Sequence, residues 1–194
     1  MYGKDRDGVA RPLLMKDSGQ LMGMGDLSDA AINGRLFHTC TQAATTTTAT
    51  GVEAHTGLLV GNPTGSGKYF IMHEFGFASQ GEIADEGHIG LVTGAIGNMA
   101  LVAAPVIYSS LVGSGASSVG YADSAGVTAG TLSVVKIIGQ LNDATVATGY
   151  GSDIQVVDLQ GSIVLAPGYL IGTDTTVIAG AVMWFHFLWE EIDV

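Results

Sequence analysis

Short stretches rich in β-branched and aromatic residues recur along the chain and are separated by glycine-rich turns. The clearest examples are residues 68–77 and 131–138. Branched and aromatic side chains pack well on a pleated surface, and no stretch shows a sustained helical period. Many short strands at spacings of roughly ten residues predict an all-β protein, a β-sandwich or barrel. Further strands are expected at 36–42, 56–60, 88–93, 101–104, 155–159 and 162–165.

The last apolar stretch, residues 176–191, is hydrophobic at both odd and even positions. A strand that is apolar on both faces lies between two covered surfaces, inside a sandwich or at a subunit interface. Exposed aromatic side chains at this end would be an aggregation hazard. We therefore expect an oligomer interface formed by Trp184, Phe185, Phe187 and Trp189.

The first 35 residues differ from the rest and predict an N-terminal extended arm. Residues 11–16 and 20–24 are apolar runs around an Asp-Ser-Gly turn at 17–19, which predicts a short hairpin, and a helical turn is expected near 27–33. Two strands alone are marginal in water, so such an arm orders against a partner. The expected division is an arm at 1–35 and a β-sandwich body at 36–194.

The charge follows the same division. The 194 residues are 47% hydrophobic and 13% charged, which excludes a disordered chain. Residues 1–35 carry five basic and five acidic residues, whereas 36–194 carry two basic and thirteen acidic ones, the whole of the net −11. An acidic body repels phosphate backbones, so nucleic acid is not expected as a partner. The plain alternative is that acidity keeps an apolar protein soluble.

The sequence predicts neither a membrane span nor a secretion signal. Residues 177–189 are too few for the about 20 that a span needs, and 91–108 contain Pro105 and several glycines. The charged start has no apolar core behind it. The single cysteine, Cys40, fits synthesis in a reducing cytoplasm.

Residues 61–69 resemble a phosphate-binding loop but fail at both ends. Asn62 stands where the first glycine is required, and Tyr69 stands where a serine or threonine would hold Mg²⁺. The residues after Lys68 alternate like a strand, whereas the motif opens a helix. We therefore expect 61–67 to be a loop that connects two strands.

Other candidates for chemistry are also incomplete. His73 and Glu74 begin like a zinc-protease motif, but Phe77 replaces the second histidine. Ser124 lacks the first flanking glycine of a hydrolase nucleophile, and Cys40 is expected to be buried and inert. No catalytic, cofactor-binding or metal-ligating residue is expected, and the scattered histidines are assigned structural roles: His38, His55, His73, His88 and His186.

Four segments in order resemble the small structural proteins encoded among the virion genes of tailed bacteriophages. They are the arm at 11–21, the loop at 61–68, the strand and turn at 158–168, and the closing 189–192. These segments consist of loops, turns and strand ends, and they do not contain a catalytic motif. The resemblance implies a jelly-roll-like antiparallel β-sandwich, associated as a homotrimer, with a terminal arm that reaches across capsid subunits.

The function expected from the resemblance is that of a non-enzymatic capsid decoration or cement protein on the virion surface. It would bind the major capsid protein or another virion protein through the arm and stabilise contacts between capsomers. The residues expected to contact this partner are Lys4, Arg6, Arg11, Leu13, Leu14, Lys16 and Arg35.

Two alternatives stay open at this point. The first is a head-fibre, tail or host-surface module, with the glycine-rich loop 109–130 and its bordering Tyr108 and Tyr121 contacting glycans. The second is a hydrolase of cell-surface polymer that uses paired carboxylates, which would be drawn from Glu82, Asp85, Glu86, Glu190 and Glu191.

Overall fold

The computed structural model describes residues 2–4, 10–12, 26–42, 45–46, 57–80, 87–99, 101–124, 132–141, 154–175 and 182–194. Within these ranges the chain forms one α-helix, one 3₁₀ turn and thirteen strands. The helix α1 is Asp26–Ile32, and the 3₁₀ turn is Ile96–Asn98. The strands are β1 Tyr2–Lys4, β2 Ala10–Pro12, β3 Leu36–Cys40, β4 Thr45–Thr46, β5 Leu59–Gly61, β6 Lys68–Gln80, β7 Gly87–Ala95, β8 Ile107–Ser109, β9 Tyr121–Asp123, β10 Ser133–Leu141, β11 Ile154–Leu165, β12 Tyr169–Thr175 and β13 Val182–Asp193.

Two antiparallel sheets form the body. Sheet I has the order β10-β7-β12-β5-β9, and sheet II has the order β11-β6-β13-β3-β8, with β4 also pairing with β13. The predicted antiparallel β-sandwich is therefore confirmed. The jelly-roll winding and the N-terminal arm stay predictions.

Eight strands pair with partners that are distant in the sequence, and each pair encloses the next one along the chain. The first, β3, pairs with the last, β13; β5 pairs with β12; β6 pairs with β11; and β7 pairs with β10. Consecutive strands of this set cross from one sheet to the other at most steps. The nesting places β6 and β13, the longest pair, at the centre of sheet II.

The core lies between the sheets and is aromatic on the sheet II side. The Phe75 ring centroid lies 5.3 Å from that of Phe187 and 6.3 Å from that of Phe185. Trp189 stacks on Phe70 with the ring centroids 6.0 Å apart. All five are buried and meet apolar side chains of sheet I, which are Leu58, Val60, Ile89, Leu91 and Ile171.

A bulge in β6 keeps this aromatic row aligned. Leu188 pairs with Glu74 and Trp189 pairs with Met72, so His73 is the extra residue in the ladder. An extra residue changes which face the following side chains take. Both Phe75 and Met72, on either side of the bulge, are thereby buried.

The loop at 61–67 connects β5 to β6, as predicted, and Asn62 holds it in place. The Asn62 side-chain amide donates to the carbonyls of Lys68, at 2.8 Å, and Leu165, at 2.9 Å. Gly65 and Gly67 have φ of 75° and 69°, a conformation that glycine adopts without strain. The residue type that spoils the phosphate-loop pattern is thus the one that fixes this turn.

Three sequence expectations differ from the structure. Residues 101–104 form no strand but a bend, and the stretch 154–165 is one strand with an irregularity rather than two. Strand β9 lies inside the segment expected to be a loop. The helical turn near 27–33 is confirmed by α1. Most of the hairpin expected at 11–24 lies outside the described residues, and its first residues belong to β2, which pairs with β1.

Among the described residues, none of the helices has the length and apolarity that crossing a membrane requires.

Candidate functional site

The outer face of sheet II, the side that points away from the core, carries large side chains, and no strand or helix among the described residues forms a third layer over it. Residues directly opposite one another in an antiparallel ladder share a face. One such row runs Val156, Gly76, His186 and Cys40 across four strands, and Trp184 lies beside it opposite Ala78. This outer face is therefore made of the positions of β13 that alternate with the core positions.

A groove of about 380 Å³ runs along this row. Val156 is 58% exposed and Trp184 is 38% exposed at its rim. The remaining lining is apolar or uncharged except for His186, and comprises Cys40, Thr41, Gln42, Gly76, Phe77, Ala78, Gln155 and Phe185. We call this feature the outer groove.

The floor of the outer groove requires a glycine. A Cβ added to Gly76 would overlap two atoms of the His186 ring and lie 3.0 Å from a third, Nε2. The ring therefore lies flat on the backbone of the neighbouring strand. No other residue type allows this approach without moving the imidazole.

Burial sets the electrostatics of the two histidines on this face. Desolvation lowers the pKa of His186 below its ordinary value, the nearby Glu74 carboxylate partly raises that pKa, and His38 lowers it further. The His186 Nε2 lies 3.8 Å from Glu74 Oε2. Burial also lowers the pKa of His38, whose ring stacks on Tyr108 with the centroids 5.7 Å apart. Both imidazoles are thus held in the neutral form near pH 7.

The carboxylates of the outer face lie together. Asp158 pairs with Glu74 in the β11–β6 ladder, so both side chains project from the same face. Asp158 is exposed and accepts a hydrogen bond from the Gln160 amide at 2.8 Å. The outer face therefore combines an apolar groove with a negative edge.

A second uncovered surface is formed by residues 101–121, which we call the crossing segment. It runs from the end of the 3₁₀ turn to β9 and places β8 on the edge of sheet II and β9 on the edge of sheet I. It contains no charged residue. Many of its large side chains are exposed, namely Leu101, Val102, Val106, Tyr108, Leu111, Val112, Val119 and Tyr121.

Two buried carboxylates fix the crossing segment to the sandwich. Asp123 accepts hydrogen bonds from the amides of Val102 and Ala103, the latter at 3.1 Å. Glu191 accepts from the Ser118 hydroxyl and from the Val119 amide at 3.3 Å. The exposed apolar side chains thus stand on an anchored backbone rather than on a loose loop.

The residues expected to form the oligomer interface divide between the two faces of β13. Trp184 lies on the outer face, at the rim of the outer groove. Phe185, Phe187 and Trp189 are 2%, 0% and 0% exposed and belong to the core between the sheets. For these three the interface expectation is corrected, because the sandwich itself covers them. Trp184 alone of the four is in a position to touch another subunit.

The residues expected to contact a partner through the arm are only partly described. Lys4 lies in β1 and Arg11 lies in β2. Among the described strands, β1 and β2 pair only with each other. Four of the arm residues lie outside the described residues: Arg6, Leu13, Leu14 and Lys16.

Arg35 contacts both α1, within residues 1–35, and the body. Its guanidinium Nη2 lies 3.3 Å from the Asp29 carboxylate and 3.4 Å from that of Glu190. It therefore joins α1 to the central strand β13. The expected role of Arg35 in partner contact stays a prediction, but its described contacts are internal.

The carboxylates considered for a hydrolase take structural roles where they are described. Glu190 lies 3.6 Å from His73 and also meets Arg35, and Glu191 accepts a hydrogen bond from Trp189 Nε1 at 3.2 Å. Glu82, Asp85 and Glu86 lie outside the described residues. Ser124 donates to the Ala103 carbonyl at 3.0 Å.

Potential metal ligands are dispersed in the same way. His88 pairs with Asp174, the two side chains being 3.0 Å apart. Cys40 Sγ accepts from Gln42 Nε2 at 3.3 Å. The ranges that the structure describes contain no group of three or more histidine, cysteine, aspartate or glutamate residues placed to hold a metal ion. His55 lies outside these ranges.

Sequence reasoning named Trp184 and the loop at 109–130 but did not delimit either exposed surface. The outer face could have been found from Gly76, since a glycine inside a long alternating strand marks a close approach of another group. The crossing segment could have been found from its lack of charge, because an apolar stretch without acidic residues is unusual in so acidic a body.

The chain matches no protein-family model and no curated protein.

Proposed function

We propose that this chain is a non-enzymatic structural protein of a bacteriophage particle, a capsid decoration protein that assembles as a homotrimer. The observation that carries the proposal is the outer groove. Trp184 and Val156 are 38% and 58% exposed, and with the neutral His186 they form an apolar surface on the outer face of sheet II. A surface of this kind is characteristic of a protein–protein contact.

The nested strand pairing supports the jelly-roll part of the proposal. Pairing of first with last and second with second-to-last results when one long antiparallel hairpin is folded across two sheets. Double-sheet jelly rolls of eight strands are built in this way and are common in viral capsid proteins. Since a fold by itself does not imply a function, the virion assignment also needs the resemblance of 11–21, 61–68, 158–168 and 189–192 to phage structural proteins.

The position of β1 and β2 supports an arm that contacts the capsid. Among the described strands these two form their own two-stranded sheet, and neither pairs with sheet I or sheet II. An isolated hairpin is marginally stable in water and gains order from a partner. Residues 1–35 hold five basic and five acidic residues, so this segment, unlike the acidic body, has no net charge that would repel an acidic partner surface.

Deletion of residues 1–25 tests the arm, with the intact chain as its reference, because it leaves α1 and the contact of Arg35 with Glu190 in place. The truncated body is expected to keep its β-rich circular dichroism and its oligomeric mass, and to lose binding to particles stripped of this protein. A matched control replaces only Lys4 and Arg11 with alanine, which removes charge and keeps chain length. Unchanged binding of the truncated body would overturn the proposal that the arm makes the contact.

The mass of the intact chain in solution tests the self-association. Sedimentation velocity is expected to give three times the chain mass at micromolar concentration. A chain that stays monomeric at every concentration up to about 100 µM would contradict it. Its dissociation constant would exceed about 100 µM, which corresponds to less than about 5.5 kcal/mol of association free energy per contact.

A second function, a host-surface binding module of the head fibre or tail, is favoured by one observation. Tyr121 is exposed and lines a cavity of about 290 Å³ in the crossing segment, beside Leu101 and Pro105. Exposed tyrosines offer flat apolar surfaces with a polar tip. Copy number separates the two functions, because a decoration protein is expected at hundreds of copies per particle and a tail component at few.

A further inference from the structure

We infer that the outer groove of one subunit is filled by the Leu111–Val112 tip of the crossing segment of a second copy. The inference rests on the self-association proposed above and names the two surfaces that meet. One is concave and partly negative, and the other is convex and uncharged. Both belong to the same chain but to different sides of the sandwich.

Charge argues against two outer grooves facing each other. Glu74 and Asp158 project from this face, and the whole chain carries a net charge of −11. A two-fold contact between identical faces would bring the carboxylates of both copies into one interface. Like charges in an interface cost several kcal/mol and exclude a partner. The occupant is therefore a surface of this chain without acidic side chains.

The crossing segment is that surface. From residue 87 to residue 122 the sequence contains no aspartate, glutamate, lysine or arginine. This is the longest uncharged run in the chain, and its crossing-segment part is exposed and apolar. It approaches Glu74 and Asp158 without repulsion.

The tip of the crossing segment is shaped before binding. Val112 is 92% exposed, and Gly113 follows it with a φ of 84°. The Ser114 amide donates to the Leu111 carbonyl at 3.0 Å, and the Leu111 amide donates to the Ser109 hydroxyl at 3.3 Å. A preformed tight turn loses little conformational freedom on docking.

The outer groove has room for the tip. Its volume of about 380 Å³ is large enough for the side chains of Leu111 and Val112. Val112 is 92% exposed and Leu111 is 38% exposed, so both side chains are accessible to a second copy.

The two surfaces lie on adjacent sides of the subunit, which gives the contact a direction. Tyr108, on the edge strand β8, is part of the crossing segment and also stacks on His38 of the outer face. A contact between two different patches is heterologous and closes into a ring when the rotation allows it. When the two patches are adjacent on one subunit, each subunit is rotated through a large angle relative to the one before it. A ring of three subunits requires such a large rotation.

Paired cysteine variants test which surfaces meet. Cys40→Ser serves as the background, and chains carrying either Val112→Cys or Val156→Cys are co-expressed, one of them with a larger tag. After treatment with a short bismaleimide, the expected product is a mixed dimer of one tagged and one untagged chain. The matched control replaces Val156→Cys by Val135→Cys on β10 of sheet I, a valine that is 45% exposed against 58% for Val156, and is expected to give no mixed dimer.

Substitution of the tip tests its contribution to assembly. Val112→Asp puts a carboxylate into an otherwise uncharged tip and is expected to raise the dissociation constant of the oligomer about tenfold or more, while Val135→Asp leaves it unchanged. Val112 has too few internal contacts for its replacement to unfold the chain.

The outcomes distinguish a failure of this inference from a failure of the proposed self-association. A monomeric wild-type chain would overturn the self-association itself. An oligomer that persists in the Val112→Asp variant, or that cross-links Val112 to Val112 or Val135 as readily as to Val156, would overturn only the assignment of the tip to the outer groove.

Discussion

Replacement of Gly76 by alanine is the sharpest test of the outer groove. The added methyl group would overlap the His186 ring, which lies on the Gly76 backbone. The backbone φ of Gly76 is not in the left-handed region, so alanine meets no conformational strain there. In the folded state the effect of the substitution is therefore steric, and it acts through one side chain.

The magnitude follows from two opposing contributions. Alanine in place of an unstrained glycine stabilises a protein by about 0.4–1 kcal/mol through the unfolded state. Forcing an extra carbon into an occupied site costs about 1–3 kcal/mol. His186 is half-buried and can swing outward, which puts the cost at the lower end but breaks its contact with Glu74. We expect Gly76→Ala to be about 1–2 kcal/mol less stable than a matched glycine-to-alanine variant.

Gly139 in β10 provides that match, because a Cβ there would meet nothing within 4 Å. Both variants are compared by denaturant unfolding at one protein concentration, since assembly makes the midpoint concentration-dependent. Adding His186→Ala to each completes a double-mutant cycle and is expected to remove the difference. If Gly76→Ala and Gly139→Ala were equally stable in the chain that retains His186, the reasoning would be refuted.

The remaining predictions concern pH, the anchoring carboxylate and the two faces of β13. Burial lowers the folded-state pKa of His186, so the unfolded chain binds its proton first as the pH falls; stability is expected to decrease from pH 7 to pH 5, with a smaller decrease in His186→Gln. Glu191→Ala leaves the buried Trp189 Nε1 and the part-buried Ser118 hydroxyl without their acceptor and is expected to cost about 2–4 kcal/mol in thermal unfolding, against about 0–1 for the exposed ion-pair residue in Asp193→Ala. Phe187→Ala is expected to cost about 3–5 kcal/mol, whereas Trp184→Ala, at a half-exposed position, is expected to cost less and to lower the oligomer mass. Equal effects within either pair would contradict the assignments of burial.

The sandwich was predictable because strand signals are local. Residues 68–77 and 176–191 alternate or are apolar throughout; the first lie in β6, and the described part of the second lies in β13, both long strands of sheet II. The same signals could not say which parity of β13 faces the core. Both parities are apolar, and the choice depends on which side sheet I covers. Phe185, Phe187 and Trp189 were therefore assigned to an interface although they form the core.

The strand expected at 101–104 failed for a different reason. These residues are apolar enough for a strand, but the amides of Val102 and Ala103 bond to the Asp123 carboxylate instead of a neighbouring strand. A hydrogen bond between residues 20 positions apart leaves no periodic signal in the sequence. The exposure of the crossing segment follows from this anchor, and in the sequence only the lack of charge indicates it.

The irregularity in β11 shows how turn chemistry can mislead. Gln160 and Gly161 have φ of 50° and 66°, values typical of a turn, and they predict a break between two strands. The chain instead absorbs them as an interruption of the ladder between Asp158 and Ile163 and continues along β6. Glycine marks the position correctly, but only the neighbouring strand decides between a turn and a bulge.

The distribution of acidic residues carries more information than their number. Acidity that served solubility alone would be spread over the surface, yet residues 87–122 carry no charge and expose several large apolar side chains. At a net charge of −11, the repulsion between copies is weakest where at least one surface is neutral. The carboxylates of Glu74 and Asp158 beside the outer groove then repel an identical acidic face, whereas an uncharged surface can bind there. Placing a single lysine beside the tip should consequently strengthen the contact with this negative edge, whereas placing an aspartate there should weaken it.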